Sequence, residues 1–154
     1  MSKVSAALAV SAAFATALLA PGPVASADAV YHSQHIALAP VAGAPLRSGF
    51  VENIHADGPR VYAMERYVLN GAAPSTTYAV TLQLFADRGC SAALGPFPSI
   101  SFATNAVGDG VGHLRLVPAD IPPAFHGLTI GVVWQLTDGA GLAYQTACST
   151  VVLD

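Results

Sequence analysis

The sequence predicts an all-β protein, an antiparallel β-sandwich of about eight strands held by one disulfide. Three observations point there. Apolar residues recur at every second position instead of at helical spacing, Gly- and Pro-rich breaks separate most of the alternating runs, and two cysteines stand far apart in a chain that opens like an exported protein.

Residues 1–27 read as a signal peptide: Lys3 precedes an uncharged, Ala-rich run from Val4 to Ala20, then a Pro-Gly-Pro break and Ala25-Ser26-Ala27. A membrane anchor would need roughly 20 strongly apolar residues. This run is shorter and is diluted by Ala, Ser and Thr, so cleavage after Ala27 is expected to leave one secreted domain, residues 28–154, with no membrane span. Ala27-Asp28-Ala29 is a second small-x-small site. Cleavage there would expose Val30-Tyr31-His32, whose free amine, two amide nitrogens and His32 imidazole suit a square-planar Cu(II) or Ni(II). With cleavage after Ala27 no metal is expected.

Lys3 is the only lysine, and beyond the signal Arg47, Arg60, Arg66, Arg88 and Arg115 face nine acidic residues. Nucleic acids and anionic membranes are bound by clustered cations, which this chain lacks, so neither is an expected partner. Absence of Lys beside abundant Ala, Gly and Pro suits a GC-rich, actinobacterial genome.

The strands follow in order. "VYHSQHIAL" is the first, and a Pro/Gly-rich stretch over 39–49 separates it from "GFVENIHAD" and "RVYAMERYVL", which flank Asp57-Gly58-Pro59. "YAMERYVL" also has the propensity for a turn of helix. From Tyr78 the chain puts Tyr78, Val80, Leu82 and Leu84 on one face. "SISFATN" (99–105) and "VGHLRLV" (111–117) read as a hairpin around a Gly-rich turn. The proline-rich 118–127 is a crossing loop, where Phe125 is either a plug over one end of the sandwich or a surface contact. In the last hairpin Ile130, Val132, Trp134 and Leu136 point one way as core, and Tyr144, Thr146, Cys148, Thr150 and Val152 return.

Little in the chain carries chemistry. In an oxidising compartment Cys90 and Cys148 most simply pair as a disulfide, and no C-x-x-C suggests otherwise. His32, His35, His55, His113 and His126 are dispersed, and His32 and His35 would face opposite sides of a strand. There is no G-x-S-x-G. Glu52 and Glu65 flank a turn and read as surface carboxylates instead of an acid/base pair. No catalytic residue, cofactor or metal ligand is assigned, and no enzymatic activity is expected.

Gly71, Pro74, Thr76, Tyr78, Val80 and Leu82 resemble the G-L-x-P-x-T-x-Y-x-V-x-V run of fibronectin type III domains. The resemblance implies an immunoglobulin-like sandwich in which Tyr78 forms a tyrosine corner, its hydroxyl bonding to upstream backbone. Ala72 replaces the usual Leu, about four strands follow the tyrosine where that family has two, and Trp134 lies nearer Cys148 than Cys90, unlike true immunoglobulin domains. "PSTTYAVTLQLFADRGC" and "FATNAVGDGVGHLRL" are similar to segments of the actinomycete chromoprotein apo-proteins, the neocarzinostatin family. That likeness implies an apolar small molecule in a cleft between the sheets, although that family has two short-range disulfides in place of one long one.

The expected function is a secreted, non-enzymatic binding or interaction module. Its partner, a protein or a small apolar ligand, would meet loops at one end that include 87–98 and 118–127. The alternatives are a small-molecule carrier with its site between the sheets and a structural component of the cell envelope.

Overall fold

The computed structural model describes residues 31–56 and 63–153. The signal peptide and both cleavage sites lie outside the described residues, as do the His32 side chain and the metal reading attached to it. No helix among the described residues is long and apolar enough to cross a membrane.

Among the described residues nine strands form, all laddered antiparallel: β1 (Tyr31–Pro40), β2 (Ser48–Ala56), β3 (Ala63–Asn70), β4 (Thr77–Phe85), β5 (Ala93–Ala103), β6 (Gly110–Leu116), β7 (Leu128–Asp138), β8 (Gly141–Thr146) and β9 (Ser149–Leu153). The order is β5-β4-β7-β8-β1-β2-β3-β6, with β9 beside β7. Two one-turn 3₁₀ helices, Pro118–Asp120 and Pro123–Phe125, occupy the proline-rich crossing. β1 joins the two halves of this order, because Tyr31–Ala37 ladder with β2 while Leu38–Pro40 ladder with β8.

"YAMERYVL" is strand, not helix: in β3 Ala63, Glu65, Tyr67 and Leu69 are buried in alternation, and the period-two pattern outweighs local propensity. The expected hairpin over 99–117 does not form as a ladder. The chain turns tightly at Asn105–Asp109, but β5 then pairs with β4 and β6 with β3. The reason lies at Gly112 of β6, where an added Cβ would sit 2.7 Å from Phe102 Cδ1 and 2.8 Å from Ile100 Cδ1. The side chains of β5 lie on this bare backbone, so the two strands meet through side chains and not edge to edge.

β5 also begins at Ala93, inside the stretch expected as loop. Pro96 and Pro98 are tolerated there because β5 ends the strand order and ladders only with β4, so its other edge has no donor to lose.

The return strand is broken. Gln145 pairs with Gln135 and Ser149 with Val132, which leaves Thr146, Ala147 and Cys148 opposite only Val133 and Trp134. One extra residue reverses the faces. Tyr144 and Thr146 are buried, but beyond the bulge Val151 and Leu153 turn inward and Val152 is exposed, so the residues expected to share one face do not. The Thr146 hydroxyl takes the Trp134 N–H at 3.1 Å.

The disulfide joins this bulge to the β4–β5 turn. Cys90 and Cys148 are bonded with their Cα atoms 5.9 Å apart, and the turn carrying Cys90 is built around Asp87, whose carboxylate accepts the Gly89, Ser91 and Ala92 N–H groups. The Ala92 N–H foremost holds the Asp87 carboxyl below its ordinary value. Gly131 of β7 makes room, since a Cβ there would lie 2.8 Å from Cys90 Sγ and clash with the Asp87 carbonyl.

Tyr78 is fully buried, and its hydroxyl meets the Tyr144 hydroxyl at 3.3 Å. The link to upstream backbone runs through that partner, as Tyr144 donates to the Pro45 carbonyl at 2.6 Å. Tyr144 and Phe102 flank Tyr78, with ring centroids 5.3 Å and 6.4 Å away, and Tyr67 extends the aromatic cluster by stacking on Phe102 at 6.2 Å.

The disulfide closes a sequence separation of 58 residues. Replacing both cysteines with Ala should therefore lower stability by about 2–4 kcal/mol in urea unfolding. Dithiothreitol should shift the wild-type midpoint by the same amount and leave the variant's unchanged.

Candidate functional site

The interior is not filled evenly along its length. At one end the aromatic cluster closes it. Past Glu65 on β3, Leu82 on β4 and Trp134 on β7, the inward side chains become Ala63, Leu84, Val132 and Ile130, and a cavity of about 340 Å³ opens. Its far wall comes from Leu94–Phe97 of β5 and from Ile121, Pro122 and Phe125 in the crossing between β6 and β7. These stretches belong to the two segments expected to make contacts, and Phe125 is partly buried against the core as a wall of the cavity.

The lining is aliphatic and aromatic except for Asn53 and Glu65 at its inner end and Asp120 at the far wall. Glu65, read from the sequence as a surface carboxylate, is 3% exposed. Its parity with Tyr67 and Leu69 on β3 forces it inward, while Glu52, one position off that parity on β2, faces Arg66 on the outside at 3.8 Å. The two glutamates therefore share no site.

Three groups converge on the Glu65 carboxyl. Asn53, directly opposite on β2 and 2% exposed, donates from Nδ2 to Oε1 at 3.0 Å. Trp134 donates from Nε1 to the same oxygen at 3.1 Å, reaching across the interior from β7. The Tyr67 hydroxyl contacts Oε2 and lies 3.4 Å from Ser99 Oγ on β5. One carboxyl thus ties β2, β3, β5 and β7 together.

Burial raises the Glu65 pKa above its ordinary value, and the bonds from Tyr67, Trp134 and Asn53 only partly offset it. Burial likewise raises the Tyr67 hydroxyl, and the facing Glu65 charge adds to that. Burial thus opposes ionisation at both groups. The Tyr67 hydroxyl donates to Glu65 Oε2.

Asn53 also lines the cavity, and its Oδ1 is buried without a hydrogen-bond partner among the described residues. Asp120 stands at the wall, where its carboxylate accepts the Val117 N–H at 2.8 Å.

The remaining sequence candidates lie elsewhere. His35 stacks on Phe50 at 4.0 Å, His113 is opposite Arg66 on β6, and His126 Nε2 is 3.1 Å from the Ile121 carbonyl. No group of three metal-ligating side chains gathers among the described residues.

Neither Glu65 nor Asn53 was picked out from the sequence as an interior residue. The available signal was parity: each occupies an inward position of a strand, with Ala63 and Tyr67, or with Val51, as buried neighbours two positions away.

A carboxyl whose pKa is raised on folding contributes stability fully below its unfolded value, and that contribution is lost as pH rises through the folded value. Wild-type stability should thus fall as pH climbs out of the ordinary glutamate range. Glu65→Gln, which keeps an acceptor for Asn53 and Trp134, should lack that component. Glu65→Leu strands three polar groups at about 1–3 kcal/mol each and should cost at least about 3 kcal/mol. Urea titrations from pH 4 to 8 check this, and parallel pH profiles for wild type and Glu65→Gln would refute it.

Comparison with protein-family models, curated proteins and solved structures found no match. The function is accordingly argued from the cavity and its carboxyl alone.

Proposed function

We propose that the chain is an exported, non-enzymatic β-sandwich of immunoglobulin-like kind that carries a small apolar molecule between its two sheets. The observation that carries this reading is the 340 Å³ cavity, walled by Leu, Ile, Val, Phe and Trp side chains, with Asn53 and Glu65 at its inner end and Asp120 at its far wall. Small-molecule sites have this construction, a mostly apolar concavity with a few placed polar groups, and this volume is at the small end of their range. The sandwich reading is supported by β1, which changes ladder partner at Leu38, and by the Trp134–Glu65 bond across the interior. Export is supported by the disulfide, which persists in oxidising compartments.

Binding is favoured over catalysis because the buried carboxyl already meets three partners that hold it in place. A general acid or base needs an open approach to the proton it moves. A surface contact module or an envelope component would give the cavity no role.

N-phenyl-1-naphthylamine, a neutral apolar fluorophore, should bind the disulfide-intact protein one to one, with enhanced emission and quenching of Trp134, the only tryptophan. Val132→Phe, which fills the cavity from β7, should weaken binding at least tenfold while the protein still unfolds cooperatively. Absence of binding to the wild type, or equal binding to both, would count against the carrier reading.

A further inference from the structure

We propose that two copies of this chain associate through the outward face of β1, β2, β3 and β6, about a two-fold axis that runs along the strands between β2 and β3. The inference does not rest on the carrier reading, because it uses the side of these strands turned away from the cavity. Alternation decides which residues stand there. With Val51 and Asn53 turned inward on β2, and Glu65 and Tyr67 on β3, the outward set is Phe50, Glu52 and Ile54 beside Met64, Arg66 and Val68. Glu52, Ile54, Met64 and Arg66 border one open depression of this face, together with His113 and Arg115 of β6. Met64 leaves apolar surface exposed there, and so does Val111, which is opposite Val68 on β6.

The register supplies the fit. Across the β2–β3 ladder Phe50 is opposite Val68, Glu52 opposite Arg66 and Ile54 opposite Met64. A two-fold along the strands lays each β2 residue over the second copy of its own cross-strand neighbour. Phe50 then meets the partner's Val68, Ile54 meets the partner's Met64 and Glu52 meets the partner's Arg66, and every contact occurs twice. Apolar falls on apolar and carboxylate on guanidinium with no shift of register. Antiparallel faces pack in this aligned way about 10 Å apart.

Charge selects this arrangement and this occupant. Within one chain Glu52 and Arg66 stand 3.8 Å apart and both stay partly exposed, so each can take a second ion. An axis across the strands at their level would instead set Glu52 on Glu52 and Arg66 on Arg66. A partner of one charge sign would be repelled by part of the same row. A face carrying the same two signs in the opposite order matches, and a second copy supplies it. The apolar pairs then contribute affinity while the ion pairs fix the register.

Sedimentation equilibrium of the full disulfide-intact chain at low salt and pH 8 tests this. That pH is above the ordinary histidine range, a choice made because the same axis lays His35 over the partner's His113. The wild type should show a reversible monomer–dimer equilibrium. Glu52→Arg and Arg66→Glu each face like charges twice in their own dimers, and each should weaken association at least about tenfold. Mixed in equal amounts, the two variants should recover association as a one-to-one heterodimer, which native mass spectrometry separates from either homodimer by mass. That recovery also shows that both variants fold. A wild type that stays monomeric at every concentration would overturn the proposal. So would a dimer that neither reversal weakens, since it would use another surface, and so would two weakened variants whose mixture does not recover.

Discussion

The Glu65 carboxyl is the interaction on which the rest of the interior depends. It sits in an interior otherwise lined by hydrocarbon, and its burial is tolerable only because Asn53, Tyr67 and Trp134 meet it from three directions. Each partner is fixed in turn: Asn53 by its register opposite Glu65, Tyr67 by the aromatic cluster, Trp134 by a strand whose N–H is held by Thr146. The backbone around the carboxyl therefore has little freedom to collapse. Such a network does little for net stability compared with well-packed hydrocarbon, but it favours a single arrangement.

That arrangement explains why the cavity lies where it does. On the tyrosine side of Glu65 large rings fill the space between strands. On the other side the inward residues shrink to Ala63, Val132 and Ile130, and the strands are kept apart by the network behind them and by the segment carrying Phe125 in front. An apolar core would normally close such a gap, since its lining atoms lose dispersion contacts across it. Here the strands forming it are tethered at one end by the Glu65 bonds and from outside by the Cys90–Cys148 link behind Gly131. The carrier reading takes the gap as the site and the network as its floor.

Two irregularities place these parts. The extra residue at Thr146–Cys148 turns Cys148 outward to the disulfide and reverses the faces of β9, so that Val151 and Leu153 line the cavity. Bare backbone at Gly112 lets Phe102 and Ile100 cross over β6, which sends β5 and β6 to opposite ends of the strand order. Both devices substitute local backbone geometry for a continuous ladder.

The sequence by itself determined the strand content, the buried faces of β4 and β7, Trp134 as core and the cysteine pair, because these rest on period-two alternation and on there being two cysteines to join. It also marked 87–98 and 118–127 as segments of interest, through their Pro and Gly content. Only the tertiary structure decided that Glu65 is interior. Alternation says which residues share a face, not which face is inside, and a glutamate in a short strand is ordinarily solvated. The meeting of Asn53, Glu65 and Trp134 was likewise illegible, since Glu65 and Trp134 alone are 69 residues apart and are brought together through long-range strand pairing. The hairpin expected over 99–117 failed for the same reason: short-range turn signals cannot see Phe102 resting on Gly112, and the packing of side chains across the core overrode the local preference to pair.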